Sequence, residues 1–287
     1  MLANFLIGLR EGLEAALVVG ILLAYLTKTG RRDLVRQVWL GVAIAVGVSL
    51  AFGALLTFGP SELSERAEEA IAGTLSILAV ALLTWMIFWM ARTARHLRSD
   101  LHGRLDAALT GGRWAVLVAT LLAVGREGLE TALFLWAAAG ATGSGTRPLL
   151  GAVLGLATAV ALGWGIYRGA VALNLRSFFA WTGLALVVIA GGVLSYGIHE
   201  LQEAGILPGG ESLAFDISAV LPPESWYGTL LKGLVNLDPT TTWLQAVAWT
   251  AYVVPTSWFY IRTVWGGPAA PRAEVNPPAD REPATIA

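Results

Sequence analysis

The chain has 287 residues, 56% of them hydrophobic and 14% charged, with no cysteine, three histidines and a formal net charge of −1. Soluble domains carry about 25% charged residues, so this composition, with a mean hydropathy of +0.65, describes a polytopic membrane protein. It excludes disulfides, thiolate metal sites and thiol nucleophiles, and the lack of a basic tract excludes nucleic acid as a partner.

Seven apolar runs are long enough to cross about 30 Å of hydrocarbon. The predicted spans cover residues 2–27, 37–58, 70–91, 114–140, 148–169, 177–198 and 244–264. The first has no basic n-region and contains Arg10, Glu11 and Glu14, so it reads as a retained helix rather than a cleaved signal. Its charges form the pentapeptide Arg10-Glu11-Gly12-Leu13-Glu14. The fourth span repeats it as Arg126-Glu127-Gly128-Leu129-Glu130. Insertion scales put the cost of one such charge at a helix centre at about 2.5–3.5 kcal/mol. A chain that bears this cost twice with the same residues is using them.

The loops set the orientation. Of 19 Lys and Arg, 14 follow spans one, three, five and seven, three lie in the opposite loops, and two are Arg10 and Arg126. Lys and Arg stay on the cytoplasmic side, which puts the N-terminus outside and the C-terminus inside. The outer loops hold an excess of acids, among them Glu65, Glu68, Glu69, Glu200 and Glu203. Loop solvation explains that excess; so does a funnel that concentrates cations at the outer mouth. The outer loop of residues 200–243 contains a helix start at Pro222-Pro223-Glu224-Ser225 and an apolar stretch, 226–237, suited to the interface. Residues 1–265 read as the transmembrane domain and 266–287, rich in proline, as a disordered cytoplasmic tail.

The pentapeptides are 116 residues apart, and at that offset Leu6 matches Leu122, Ala16 matches Ala132 and Leu17 matches Leu133. Three spans separate the copies, so the second enters from the opposite side. The fold class is therefore all-α, an inverted 3+3 repeat (residues 2–91 and 114–199) plus a seventh helix. Such repeats place their substrate site near the midplane, between the halves. At 100° per residue, Glu14 lies about 40° and Glu11 about 100° from Arg10, so all three share one arc. Arg10 and Glu14 are one turn apart, in salt-bridge reach. Gly8, Gly12, Ala16 and Gly20 fall mostly on the far side, a stripe that lets another helix approach closely.

Together the copies supply four carboxylates and two guanidiniums, formally −2. Carboxylates suit hard cations, and without cysteine or buried histidine a soft metal has no ligands here. An ion-pair lock between repeats would have no need of the surplus acids.

These residues carry a resemblance. The two Arg-Glu-Gly-Leu-Glu copies resemble the signature of the oxidase-dependent iron permeases, whose bacterial branch is the EfeU type. Leu83-Thr84-Trp85-Met86 with Trp89-Met90, His199-Glu200-Leu201-Gln202-Glu203-Ala204-Gly205 and Leu231-Lys232-Gly233-Leu234 resemble that branch too. The resemblance implies a plasma-membrane iron permease that is not an enzyme and has no cofactor, iron being its cargo. It implies Glu11, Glu14, Glu127 and Glu130 as iron ligands, with Arg10 and Arg126 orienting them. It further implies that iron arrives as Fe(II) and passes on as Fe(III). The oxidation would fall to an extracytoplasmic oxidase or peroxidase working with a cupredoxin-bearing protein. His199, Glu200 and Glu203 would be a first stop for iron at the outer mouth, or an ordinary interfacial cluster. Met86 and Met90 read as helix packing, Trp85 and Trp89 as the inner aromatic belt, and His96 and His102 as solvated loop residues.

Three other readings compete. A transporter of another hard or divalent cation, such as manganese, would use the same ligands. A membrane di-iron enzyme would need Glu-x-x-His, which neither copy contains. A scaffold held by buried ion pairs would transport nothing.

Overall fold

A computed structural model describes residues 1–59, 64–93, 112–142, 146–170, 174–216 and 240–266. Among these are seven α-helices: α1 (Leu2–Lys28), α2 (Val35–Phe58), α3 (Glu65–Thr93), α4 (Gly112–Thr142), α5 (Thr146–Tyr167), α6 (Leu175–Glu203) and α7 (Trp243–Trp265). Six contain an expected span whole, and α5 ends at Tyr167, short of the expected 169. Two overrun their expectation. α3 begins at Glu65 rather than 70, and α6 continues to Glu203 rather than 198. Polar residues extend a helix beyond the hydrocarbon without cost, so apolarity marks where a span stops rather than where its helix does. The expected helix start at Pro222, the stretch 226–237, Lys232, His96, His102 and the tail from 267 lie outside the described residues.

The protein is an all-helical membrane protein. α2, α3, α5 and α6 are long and apolar enough to cross a membrane by length and composition. The pentapeptides explain why α1 and α4 fall short of that measure. Every 18-residue stretch of either helix holds at least three charged residues. The outward faces of α2 and α5 carry Leu50, Leu55, Leu149 and Val160, each at least 65% exposed. Side chains this apolar face lipid, not water.

The helices pair across the two halves of the chain rather than within them. α1 packs along α5, α2 along α4 and α3 along α6, and α1 also crosses α4. Exchanging the first three helices for the next three maps this set of contacts onto itself. Small residues make each approach possible. A Cβ on Gly8 would lie 2.9 Å from the Ala152 carbonyl oxygen, and one on Gly12 would lie 2.8 Å from the Ala159 Cβ. One on Gly41 would sit 3.0 Å from the Leu117 carbonyl oxygen, and one on Gly73 2.8 Å from that of Gly197. The stripe read on α1 thus finds a second stripe on α5, Gly151, Gly155, Ala159 and Gly163, except that Gly20 touches nothing within 4 Å. Asn4 ties α1 to α4 by donating to the Leu135 carbonyl at 3.0 Å.

α7 lies against α6. It starts in a capping box, in which Thr242 Oγ1 accepts from Gln245 N at 3.3 Å while Gln245 Oε1 accepts from Thr242 N at 2.7 Å. A ribbon that the sequence did not announce, Leu213–Asp216 against Thr240–Thr242, closes this end. Thr242 Oγ1 fastens it to α6 by donating to Gln202 Oε1 at 3.1 Å.

Replacing Gly155 with Leu would drive a side chain into α1, because even a Cβ there would come within 2.8 Å of Leu9 N. Backbone cannot retreat as a side-chain end can, so the cost exceeds the usual overpacking figure of about 1–3 kcal/mol. The expected result is a several-fold loss of monodisperse protein on size-exclusion chromatography in mild detergent.

Candidate metal site

Both pentapeptides sit mid-helix because their neighbours are apolar enough to hold a helix in lipid. The i, i+4 spacing then closes each ion pair. Arg10 Nε donates to Glu14 Oε1 at 3.1 Å, and Arg126 Nε donates to Glu130 Oε1 at 2.8 Å. The antiparallel crossing of α1 and α4 brings the two copies together. Carboxylate oxygens of Glu11, Glu14 and Glu127 all lie within 4.8 Å of one another. Glu130, the fourth acid expected here, is outside that group and stays with Arg126. Its charge still acts on Glu11, Glu14 and Glu127.

Glu11 is the most telling member. It is fully buried, and neither of its carboxylate oxygens has a hydrogen-bond partner among the described residues. Buried carboxylates are normally paired or bound to metal, because stripping one of water is expensive. Arg10, the nearest cation, is committed to Glu14. Three converging carboxylates with two orphaned oxygens between them form a ready-made set of hard ligands.

The two copies share a sequence but not a setting. Arg10 is 1% exposed, whereas the side chain of Arg126 is 40% exposed. Arg10 is enclosed by α3 and α6: its Nη2 donates to Met86 Sδ at 2.9 Å, and its Cζ lies 6.0 Å from the Phe179 ring centroid. Arg126 lies over two rings, 5.5 Å from the centroid of Trp85 and 5.3 Å from that of Trp89. Met86 and Met90 are buried, as helix packing requires, but Met86 also holds Arg10. Trp85 and Trp89 serve Arg126, in the middle of α4, rather than simply lining an inner belt. The signal for both roles was present in Leu83-Thr84-Trp85-Met86 and Trp89-Met90, a run of polarisable side chains at helical spacing. Their partner helices were not readable from it.

Cation–π contacts are worth about 0.5–1 kcal/mol at exposed sites and about 2 kcal/mol or more when desolvated. Trp89→Leu should therefore loosen Arg126 and lower the melting temperature by a few degrees, about 2–4 °C per kcal/mol for a chain of this size. A thermal melt of the purified protein checks this.

His199, Glu200 and Glu203 are not in the carboxylate cluster. They occupy the last turns of α6, where His199 Nε2 and Glu203 Oε1 are 3.4 Å apart and both side chains are about half exposed. Glu200 instead interacts with the Tyr196 hydroxyl.

The chain matches the model described as "Iron permease FTR1 family" over residues 1–266. Ferrous iron permease EfeU of Escherichia coli O6:H1 (strain CFT073) is 38% identical over 276 residues, covering 95% of this chain and 100% of that protein. The protein of the same name from Shigella sonnei (strain Ss046) is 38% identical over 258 residues, 89% of this chain and 93% of the other. That from Yersinia pestis is 35% identical over 283 residues, 96% of this chain and 100% of the other. No solved structure matches the chain.

Proposed function

The chain belongs to the FTR1 iron permease family, and from that premise we propose that it takes up iron across the bacterial plasma membrane through the Glu11, Glu14 and Glu127 cluster. The observation that carries this reading is the orphaned, fully buried carboxylate of Glu11 within 4.8 Å of two other acids. Arg10 and Arg126 hold Glu14 and Glu130 while the site is empty, which limits repulsion among four acids. An arriving cation draws Glu14 from Arg10, and Glu130 completes the shell as it leaves Arg126.

The relatives are named for ferrous iron, the form in which this reading has the metal reach the outer face. An all-oxygen site holds the harder Fe(III) better. That favours oxidation before entry, by an extracytoplasmic oxidase or peroxidase working with a cupredoxin-bearing partner. The exchange symmetry of the helix contacts supports an inverted 3+3 repeat with its site between the halves. The charge bias of the loops supports an external N-terminus and a cytoplasmic C-terminus. In this frame His199, Glu200 and Glu203 lie at the outer mouth, where they would meet iron first.

Oxygen ligands of this kind would also hold manganese, so competition is the decisive experiment. Protein is reconstituted in liposomes that enclose an iron-sensitive dye. Uptake should persist under a large excess of manganese and vanish in Glu127→Ala. Quenching of iron uptake by manganese would assign the site to a broader divalent transporter.

A further inference from the structure

Behind Arg10, on the side away from Glu14, lies a cavity of about 40 Å3. Its walls are the last turn of α3, the first turn of α6 and the end of α7, including Phe179, Ala180, Tyr260 and Thr263. Among the described residues, the charged ones lining it are Arg10 and Arg176, with no acid. Two cations around one cavity are unbalanced electrostatically.

Arg10 spends Nε on Glu14 and Nη2 on Met86, which leaves Nη1 buried with no hydrogen-bond partner among the described residues. The Tyr260 hydroxyl donates to the Phe179 carbonyl at 3.0 Å, and no hydrogen bond joins it to Nη1. Arg176 has donors to spare: one of its nitrogens, Nη2, makes a single long bond of 3.3 Å to the Val264 carbonyl. An unpartnered buried guanidinium nitrogen, a second arginine and a small, partly open cavity together suit an anion.

We propose that this cavity binds a small inorganic monoanion, of chloride or bicarbonate size, which becomes the counter-ion of Arg10 when a cation takes Glu14. The volume exceeds the roughly 10–15 Å3 that one water needs and suits a small inorganic ion. The proposal rests on the reading of the carboxylate cluster as a cation site and adds a second ligand to it. An empty cluster leaves Arg10 neutralised by Glu14. A loaded cluster turns Glu14 toward the metal and strands a buried guanidinium, unless an anion stands behind it. Cation and anion then favour each other's binding, and the coupling is reciprocal.

Two measurements on the full chain test this. In the first, chloride NMR line widths are recorded with purified, metal-free protein. The wild type should broaden the line, bicarbonate should reverse the broadening and gluconate should not. Ala180→Leu, which fills the cavity, should abolish it. Arg176→Gln, at the exposed start of α6, should weaken chloride binding about tenfold, the scale of one charge-assisted hydrogen bond, and covers the case in which the Leu variant misfolds. Equal broadening by wild type and both variants overturns the site.

In the second, iron uptake into liposomes is measured with chloride, bicarbonate or gluconate on the side facing the ends of α3 and α7. The membrane potential is clamped and the opposite solution kept constant. Uptake should be about fivefold or more faster with either small anion, a typical coupling strength, and Ala180→Leu should remove the difference. Uptake that ignores the anion overturns the coupling. Specific chloride binding without iron uptake under any condition would instead sink the permease reading and leave the anion site standing.

Discussion

Glu11→Gln should abolish iron uptake and leave a protein at least as stable as the wild type. The substitution keeps the shape of the side chain and removes its charge. Glu11 makes no hydrogen bond that the change could break, because both its oxygens lack partners among the described residues. What the wild type bears is the desolvation of a fully buried carboxylate beside Glu14 and Glu127. Removing that charge relieves repulsion and desolvation together, so the melting temperature should hold or rise by a few degrees, about 2–4 °C per kcal/mol for a chain of this size. Cation binding loses a charged ligand, worth about 1.5–3 kcal/mol or more, which is tenfold to over a hundredfold in affinity. A thermal melt paired with a liposome uptake assay separates the outcomes. A residue kept for structure would lower both, whereas a ligand lowers uptake alone.

Arg10→Met has the opposite character: it damages the fold before it damages transport. The Arg10 side chain is 1% exposed and bonds Glu14 and Met86. Removing it leaves Glu14 buried with a charge and no partner, a change that costs about 3–5 kcal/mol when half of a buried pair is deleted. Folded protein recovered from the membrane should fall sharply. The double variant Arg10→Met with Glu14→Gln should restore the yield, since nothing charged is then stranded, and should still transport no iron. The matching variant Arg126→Met should cost less, because the Arg126 side chain is 40% exposed where that of Arg10 is 1%. Chromatographic yield of the four proteins reads this difference directly.

The contrast between Arg10 and Arg126 also marks how far the sequence could be read. Helix positions, the i, i+4 ion pairs and the convergence of two acidic pentapeptides follow from local spacing and hydrophobic runs, and these expectations agree with the geometry. The stripe of Gly8, Gly12 and Ala16 announced a close neighbour, yet only the fold identifies it as α5. Two identical pentapeptides predict identical surroundings. One is in fact sealed by Met86 and Phe179, and the other lies on Trp85 and Trp89. That difference comes from which helices cover each copy, a tertiary fact with no local signal. The absence of Glu130 from the three-acid group has the same origin. The ribbon joining Leu213–Asp216 to Thr240–Thr242 was missed because its strands are short and one of them is all threonine.

Pairing across the halves has a consequence for biosynthesis. α1 leaves the ribosome before α4 and α5, the helices it chiefly packs against, and it carries Arg10, Glu11 and Glu14. The bond from Asn4 to Leu135 spans 131 positions in the chain. Until that length has been translated, the charges of α1 have only the Arg10–Glu14 pair and, once α3 is made, Met86 to shield them. Contacts of such long sequence separation form late, so α1 waits for α4 and α5 with its mid-helix charges only partly covered. The carboxylates that converge in the finished molecule are thus a liability while it is being made, and quality control of membrane insertion would act on them.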